Sequence, residues 1–364
     1  MVEHAGDYEW RGEGEDAEIV IYAPGDSVAE AAFRRVAKIT RLPGVESPVY
    51  AAASPQGLGW VALSTSHAAP DLTSVPARGL LLVADAALGD LEAPPGELER
   101  LISRRLSEAR LPRATGAGIR RICEAGARAA AEDGLIEEED LPFLDTLDGD
   151  SDALGRRGIS AGTRDWDVPG SVRAYGVGEV LDAEAAESLG LEPGTLALVV
   201  SAGAGDLGRL ALAAHRDRIL SRIQGGADIG ADSDLPAAPT EAEEAADLLA
   251  ATFAAANFAD GRAALLLYAL RRALGGVSGG LSLSASWRVG GIEAREGALV
   301  HRRDLVAAGE GEILVSGGSV VAGRGKMSGS APPFGVPEDA GRHPWEEAGV
   351  LERWADLDPT EGRA

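Results

Sequence analysis

Residues 196–217, LALVVSAGAGDLGRLALAAHRD, decide how this chain is interpreted. An apolar run rich in Leu and Val ends at Gly203, and a segment with helical character follows. Gly203, Gly205 and Gly208 stand between them in G-x-G-x-x-G spacing. This spacing is typical of the turn that holds a dinucleotide between a strand and a helix. The stretch therefore predicts a strand, a glycine-shaped turn and a helix, and it raises the question of a bound nucleotide.

The sequence after the glycines argues against a dinucleotide. That fold needs a second strand and an acidic residue about twenty positions further on, which holds the ribose. After Ile223 the chain instead reads QGGADIGADSDLPAAP, a composition typical of a loop. No strand-helix unit precedes the glycines. We therefore expect the glycines to shape a turn and to bind no nucleotide.

Hydrophobic periodicity predicts a mixture of helices and strands without the regular alternation of a doubly wound sheet. Strands are predicted at 17–22 and 78–88 and in short runs within 276–325, and residues 42–71 are predicted to be loop with short strands. Helices are predicted at 28–39, 94–113, 119–133 and 236–275, and in the tail at 343–359. A T-x-x-E capping box at Thr240 and Glu243 is expected to open the long helix. The fold class is α+β, and no convincing linker divides residues 1–364, so a single domain is expected.

Composition limits the functions that the chain can have. Its 364 residues, 45% of them apolar, can bury a sizeable core. The formal charge of −24 repels polyanions and acidic lipid surfaces. No membrane span or signal peptide is indicated, so a cytoplasmic protein without a membrane partner is expected. Cys123 is the only cysteine and is predicted to be a buried apolar filler, and none of the five histidines stands in metal-ligand spacing.

Several segments, in order, resemble one known family. They are VAKITRLPGVESPVYAAASPQGLGWVAL at 36–63, LALVVSAGAGDLGRL at 196–210, AAANFADGRAALL at 254–266, GALVHRRDLVAAGEGE at 297–312 and ILVSGGSVVAG at 313–323. Each is weak alone, but together they are similar to the RtcB family of RNA ligases from about residue 36 to residue 358. The resemblance implies an RtcB-like fold, in which mixed sheets pack with helices in a single large domain.

The family joins RNA 3'-phosphate or 2',3'-cyclic phosphate ends to 5'-hydroxyl ends, and it uses GTP and Mn²⁺. Its members bind Mn²⁺ through histidines, an aspartate and a cysteine, and they attach GMP to another histidine. In this chain Ser201 and Ser286 stand where ligand histidines are expected, and Glu179 replaces the asparagine of an Asn-His pair. Asp85 is the counterpart of the family's aspartate in an uncertain register, and no cysteine accompanies it. A proline occupies the position of the guanylylated histidine, so neither catalytic residues nor a metal, nor any other cofactor, are expected.

A few polar positions of the family survive. Asn257, His301 and Arg302 match it, and Arg303 follows them. They are candidates for ligand or phosphate contacts. Two structural alternatives stay open at this point: Asn257 can form hydrogen bonds inside the fold, and the segment from His301 to Arg303 can be a surface turn.

Three functions follow from these residues. The first, which we favour, is a degenerate ligase-like protein that binds RNA ends or an intact RtcB-type ligase. The second is an active enzyme, either an RNA ligase of this family or one with a refitted metal site that uses carboxylates such as Asp85, Glu179 and Asp206. The third is RNA binding through the eight arginines of residues 97–128. The alternative for those arginines is a pair of helices laced with salt bridges.

Overall fold

The structure is a computed structural model that describes residues 3–6, 9–23, 26–54, 57–87, 102, 104–106, 108, 111–144, 146–167, 170–177, 187, 190–192, 195–225, 234–274, 280–295, 298–303, 305–308, 312–315 and 351–357. Its strands are β1 (Glu3–Gly6), β2 (Glu9–Glu13), β3 (Glu18–Tyr22), β4 (Glu46–Ser54), β5 (Gly57–Thr65), β6 (His67–Ala68), β7 (Ala77–Ala87), β8 (Ser171–Val177), β9 (Thr195–Gly203), β10 (Ala238–Pro239), β11 (Leu281–Val289), β12 (Ile292–Arg295), β13 (Ala298–Arg303), β14 (Leu305–Ala308), β15 (Glu312–Val315) and β16 (Leu351–Leu357). Its α-helices are α1 (Asp26–Ile39), α2 (Gly116–Glu132), α3 (Gly155–Asp165), α4 (Gly205–Gln224) and α5 (Glu243–Leu274).

Helices and several sheets are combined, so the α+β class is confirmed. The chain forms two compact units, and each unit takes three segments of the sequence. The first unit consists of residues 1–75, 209–252 and 288–344, and the second of residues 76–208, 253–287 and 345–364. Because these segments alternate along the chain, no single linker separates the two units.

The first unit is built on a sheet with the strand order β1-β2-β3-β4-β5-β13-β12. Strands β3 and β4 are parallel, and helix α1 connects them. Helix α1 buries Ala29, Ala32, Val36 and Ile39, whose spacing places them on one face. This face packs into a core with strand residues such as Ile19. An amphipathic helix thus covers one face of the sheet.

A second apolar cluster lies in the same unit. It contains Ile219 of α4, Leu248 of α5, and Ile292 and Leu299 of the paired strands β12 and β13. Strands β6 and β10 form a short antiparallel ribbon beside it. Apolar side chains of α4 and of the first part of α5, residues 243–252, thus belong to the core of the first unit, whereas the rest of α5 belongs to the second unit.

The second unit contains the strand order β11-β7-β9-β8-β16. Strands β7 and β9 pair antiparallel, from Ala77 opposite Gly203 to Ala87 opposite Thr195. Both are almost entirely apolar at their centres, and Leu80, Leu81 and Leu82 are buried. The central part of the sheet, formed by β7 and β9, is therefore buried on both faces.

Glycines allow close packing of the helices of this unit. A Cβ atom at Gly261 of α5 would lie 2.4 Å from Ile122 of α2. Helix α2 also contains Gly126, whose φ of 52° and ψ of −131° interrupt the helix with a kink. L-amino acids with a side chain rarely adopt this conformation, so the kink depends on glycine.

Three sequence predictions need correction. The tail at 343–359 was expected to be a helix, but residues 351–357 form β16, which pairs antiparallel with β8. Backbone pairing with a neighbouring strand outweighs the helical periodicity of so short a segment. Thr240 does not cap α5, since the helix begins at Glu243 and the Thr240 hydroxyl donates to Glu241. Residues 46–65 form two nine-residue strands, where a loop with short strands was expected.

The kink at Gly126 can be tested with two matched glycines of the same helix. Gly126→Ala is expected to lower the free energy of unfolding by about 1–3 kcal/mol, because it forces alanine into a positive-φ conformation. Gly118→Ala is the control, since its new Cβ would only make an ordinary contact of 3.6 Å with Thr115. It should raise stability by less than about 1 kcal/mol. Urea unfolding of both variants measures the difference, and equal effects would contradict the assigned kink.

Candidate functional site

The glycine stretch forms the turn between β9 and α4. Gly203 ends the strand, and Gly205 begins the helix with a φ of 56°. A Cβ atom at Gly205 would lie 2.7 Å from the Asp165 carboxylate. A side chain is therefore excluded at Gly205 by both its backbone conformation and its neighbour.

Side chains of the protein itself occupy the N-terminus of α4. Asp165 Oδ2 accepts a hydrogen bond from the Leu207 N–H at 3.0 Å, and Arg262 donates to the Gly203 carbonyl. Burial lowers the pKa of the Arg262 guanidinium below its ordinary value, and the nearby Asp165 charge partly offsets this. A helix N-terminus favours an anionic partner, and Asp165 is that partner here. The glycines thus serve a strand-to-helix turn whose amide end already holds a carboxylate.

Among the ion pairs of the second unit that the structure describes, the most deeply buried joins β7 to α5. Arg78 Nε and Nη2 donate to the two carboxylate oxygens of Asp260, at 2.6 and 3.0 Å. The side chains are 3% and 1% exposed. Two parallel charge-assisted hydrogen bonds are the strong geometry for such a pair. Asp260 therefore uses both of its oxygens to neutralise Arg78.

Ser286, where the resemblance implies a metal-binding histidine, lies beside this pair. Arg78 Nη1 is 3.5 Å from the Ser286 hydroxyl, which itself donates to the Phe143 carbonyl. Ser201 lies on β9 opposite Gly79, the residue after Arg78. Successive residues of a strand point to opposite faces of the sheet, so Ser201 does not share a face with Arg78. The structure thus brings the guanidinium to only one of these two positions, Ser286, where the family resemblance implies a metal-binding histidine.

Asp85 is not brought to the same place. It lies on β7 six residues after Gly79, the partner of Ser201, which is about 20 Å along an extended strand. Its side chain lies outside the described part of the structure, and so does the whole of Glu179. Asp206 is half-buried in the first turn of α4. These carboxylates supply no common site among the described residues.

The residues around Arg78 do not fit Mn²⁺. The carboxylate of Asp260 is already paired with a permanent cation, and the Ser286 hydroxyl is engaged with a carbonyl. Manganese prefers carboxylate and imidazole ligands, and a serine hydroxyl is a poor substitute. Over the described ranges, no three His, Cys, Asp or Glu side chains come together as a metal-binding group.

Asn257 makes hydrogen bonds inside the fold. Its Nδ2 group donates to the carbonyls of Cys123 and Leu147, each at 2.9 Å, and its Oδ1 accepts from the Leu147 N–H at 2.9 Å. The residue is completely buried. It faces the kink at Gly126, where a Cβ atom would lie 2.9 Å from Oδ1. The amide thus ties the kinked helix α2 and the loop at Leu147 to α5.

Cys123, whose carbonyl Asn257 binds, is also buried. Burial raises the pKa of its thiol, so the side chain remains neutral and unreactive. This agrees with the apolar filler that the sequence predicts.

His301 lies on β13 in the first unit and is completely buried. Its Nε2 is 3.0 Å from the His67 carbonyl, and its Nδ1 is 3.2 Å from the Thr73 hydroxyl. Burial lowers the pKa of His301 to about 4, so the ring is neutral at pH 7. A ligand phosphate cannot reach this imidazole. Arg302 and Arg303 follow on the same strand, opposite Ala62 and Val61, and their side chains lie outside the described part.

The arginine-rich region is only partly described, and two of its described arginines are neutralised locally. Arg120 pairs with Asp152 at 2.6 Å, and Arg121 pairs with Glu132 and Asp133. The hydrogen bond with Asp133 raises the pKa of the Arg121 guanidinium. These contacts are those of the salt-bridged alternative. Arg100 and Arg110 fall outside the described residues.

The first unit contains a cavity that the sequence does not predict. The cavity has a volume of about 410 Å³, and its lining includes Asp71, Thr73, Ser74, Arg209, Leu212 and Arg216. These residues come from two segments far apart in sequence, and no motif connects them. Arg216 Nε donates to both carboxylate oxygens of Asp71, at 2.8 and 3.1 Å.

Comparison of the chain with models of known protein families finds no match, and comparison with curated proteins finds none either. Among the described helices, none has both the length and the apolar character needed to cross a membrane.

Because Arg78 and Asp260 are buried together, we expect the stability of the protein to depend strongly on keeping both charges or removing both. Arg78→Met should lower the free energy of unfolding by about 3–5 kcal/mol, because it leaves the Asp260 charge buried and unpaired. Adding Asp260→Leu should recover a large part of this loss. Arg41→Met is the matched control, since Arg41 pairs with Glu15 and both side chains are 61% exposed. It should change stability by less than about 1 kcal/mol. A double variant no more stable than Arg78→Met would refute the pairing argument.

Because His301 is buried as a neutral ring, we expect the folded protein to lose stability in acid. The unfolded imidazole has a pKa near 6.5 and the folded one a pKa of about 4, so the unfolded state binds more protons between these values. The contribution of the neutral ring is complete above pH 6.5 and is lost as the pH falls toward 4, by about 3 kcal/mol in total. His301→Gln should flatten this part of the pH profile of unfolding, with His4→Gln as the control for removing an imidazole. An unchanged slope in His301→Gln would show that the ring is not the source.

Proposed function

We propose that this chain is a divergent RtcB-like protein that has lost manganese-dependent guanylylation and acts by binding. Its partners are RNA ends or an intact ligase of the same family. The proposal starts from five segments that resemble the family in the same order along the chain. The known chemistry of the family shows which residues this chain would need for ligation. Mn²⁺ and GTP are not expected as cofactors of this chain.

One observation carries the proposal: a guanidinium lies at Ser286, where the resemblance implies a metal-binding histidine. The Arg78 side chain is 3.5 Å from Ser286 and is held by both oxygens of Asp260. A buried ion pair with complete hydrogen bonding is neutral as a unit and offers no free ligand to a divalent cation. At Ser286, where the resemblance implies histidine, the neighbouring side chains of Arg78 and Asp260 thus form an ion pair instead of a metal site.

Two of the surviving family positions, Asn257 and His301, support the same proposal. Asn257 and His301 are both completely buried and hydrogen-bonded to backbone groups of their own units. Their retention has a structural reason and needs no catalytic one. Residues that stabilise a scaffold are expected to persist after its chemistry has been lost.

The charge of the chain bears on the choice of partner. A formal charge of −24 opposes association with RNA unless a local basic surface faces it. An intact ligase makes no such demand. Binding to RNA ends, if it occurs, should weaken steeply as the salt concentration rises.

The chemistry is tested by incubating the full chain with radiolabelled GTP and Mn²⁺ and separating the protein under denaturing conditions. No label should remain on the chain, and no joining of RNA 3'-phosphate and 5'-hydroxyl ends should follow. An active RtcB ligase, treated in parallel, is the positive control. A covalent GMP adduct, or joined RNA, would overturn the proposal and favour an active enzyme.

The binding role is tested by titrating the chain against a labelled RNA that ends in a 3'-phosphate and, separately, against a labelled intact ligase. Saturable binding to one of them is expected. Absence of binding to both would contradict the binding role even if no adduct forms. Dialysis against Mg²⁺ and Ca²⁺ distinguishes the carboxylate alternative, which requires saturable binding of one of these ions.

A further inference from the structure

Helix α3 of the second unit carries three arginines and a serine on one exposed side. Its other side is buried, through residues such as Ile159 and Ala161. Because each residue of an α-helix turns by about 100°, the four exposed residues fall within an arc of about 100°. The set spans about 12 Å along the helix axis. We call it the arginine row, and it consists of Arg156, Arg157, Ser160 and Arg164.

The guanidinium groups of the arginine row remain available for contacts outside the fold. Arg164 folds back toward the middle of the row, where its Nη1 donates to the Ser160 carbonyl at 3.3 Å. A guanidinium has five N–H donors, so most of those of Arg164 are not used. In the part of the chain that the structure describes, none of the three arginines forms an ion pair.

Two of these arginines stand at the end of the helix that disfavours them. Arg156 and Arg157 are in the first turn of α3, which contains no acidic residue. The amide end of a helix carries a partial positive charge, so cations there lower its stability. Helix α1 has the favourable order, with Asp26 in its first turn and Lys38 in its last. Residues that oppose a local rule of stability are candidates for a functional role.

Few carboxylates at α3 compete for the arginine row. Asp152, Asp165 and Asp167 are the acidic residues in the helix or within three positions of its ends. Asp152 pairs with Arg120, and Asp165 accepts from the Leu207 N–H. This leaves the exposed Asp167 against three guanidinium groups. The row is therefore a local positive surface on a chain whose formal charge is −24.

A fourth arginine lies close to the end of α3. The Trp166 indole N–H donates to the Pro112 carbonyl at 3.0 Å, which holds the segment before α2 beside α3. Arg113 follows Pro112 and is exposed. It too forms no ion pair with a described residue. Arg113 thus adds a positive charge near the arginine row.

The chemistry of the arginine row fits a chain of phosphate groups. Guanidinium groups bind phosphate through parallel hydrogen bonds, and the Ser160 hydroxyl can donate another. A nucleic-acid strand in a duplex carries one negative charge per about 3.4 Å, so several phosphates fall within the length of the row. Helix α3 contains no aromatic residue on which a base could stack. Recognition should therefore use the backbone and be independent of base sequence.

We propose that the arginine row, together with Arg113, binds the phosphodiester backbone of RNA. This inference rests on the proposed binding role toward RNA, and it assigns the basic surface that such a role needs on an acidic protein. Three or four phosphate contacts with a single strand predict that the logarithm of the binding constant falls with the logarithm of the salt concentration, with a slope of about −2 to −3.

Fluorescence anisotropy of the full chain with labelled single-stranded oligouridylate tests the proposal over a series of salt concentrations. Saturable binding with the stated slope is expected, and oligocytidylate should bind with similar affinity. Changing Arg156, Arg157 and Arg164 together to Gln should weaken binding by about tenfold or more and reduce the steepness of the slope by about 2.

A matched variant controls for net charge. Changing Arg34, Arg35 and Lys38 together to Gln removes the same three charges from exposed positions of α1, and it should leave the slope unchanged. Arg156→Gln alone should weaken RNA binding without lowering the urea midpoint of unfolding, because it relieves the first turn of α3. A purely structural arginine would instead lower that midpoint.

The outcomes separate this surface from the proposed function. If RNA binds but the α3 variant keeps the affinity and slope of the parent chain, the assigned surface is overturned while the binding role stands. Equal losses in the α1 and α3 variants would overturn it too, because only net charge would then matter. If the α3 variant loses binding to an intact ligase, and the parent chain binds no RNA, the row serves a protein partner and the proposal fails.

Discussion

A charge that is buried in a protein must be matched by its neighbours, and helix α5 of the second unit is organised by this constraint. Asp260 is matched by Arg78 of β7, and Arg271 is matched by Asp140 at 2.5 and 2.8 Å. Arg262 donates to the turn at Gly203, close to the charge of Asp165. An unmatched charge at any of these positions would be strongly unfavourable. The helix is therefore fixed by specific partners to a strand, to a turn and to the short 3₁₀ helix Glu138–Phe143, in addition to its apolar packing.

The glycine stretch looks like a nucleotide motif because both need the same backbone turn, and a matched charge replaces the nucleotide here. A strand that turns sharply into a helix needs a residue with positive φ and no side chain, and Gly205 meets that need. In a dinucleotide fold the amide end of the helix would receive a phosphate. Here Asp165 takes that place through Leu207. The local sequence thus predicts the shape of the turn. It does not predict the group that binds the amide end of α4, because Asp165 lies on another helix, far away in the sequence.

Elements with strong local signals could be predicted from the sequence. The apolar periodicity of α1 and α5 and the apolar runs of β7 and β9 gave both position and type. Interactions between distant segments could not be predicted. The pairing of β16 with β8 changed a short helical pattern into a strand, and the matching of Arg78 with Asp260 joins residues far apart in the chain. The cavity with Asp71 and Arg216 arises in the same way. An arginine at the start of an apolar strand is nevertheless a usable signal, because it requires a buried partner.

A crystal grown with Mn²⁺ and measured at the manganese absorption edge shows whether the pair of Arg78 and Asp260 leaves room for a metal at Ser286. We expect no anomalous peak near Ser286 and a well-defined Arg78 guanidinium that is bonded to both oxygens of Asp260. A manganese peak at that position, with the Arg78 side chain displaced from Asp260, would contradict it.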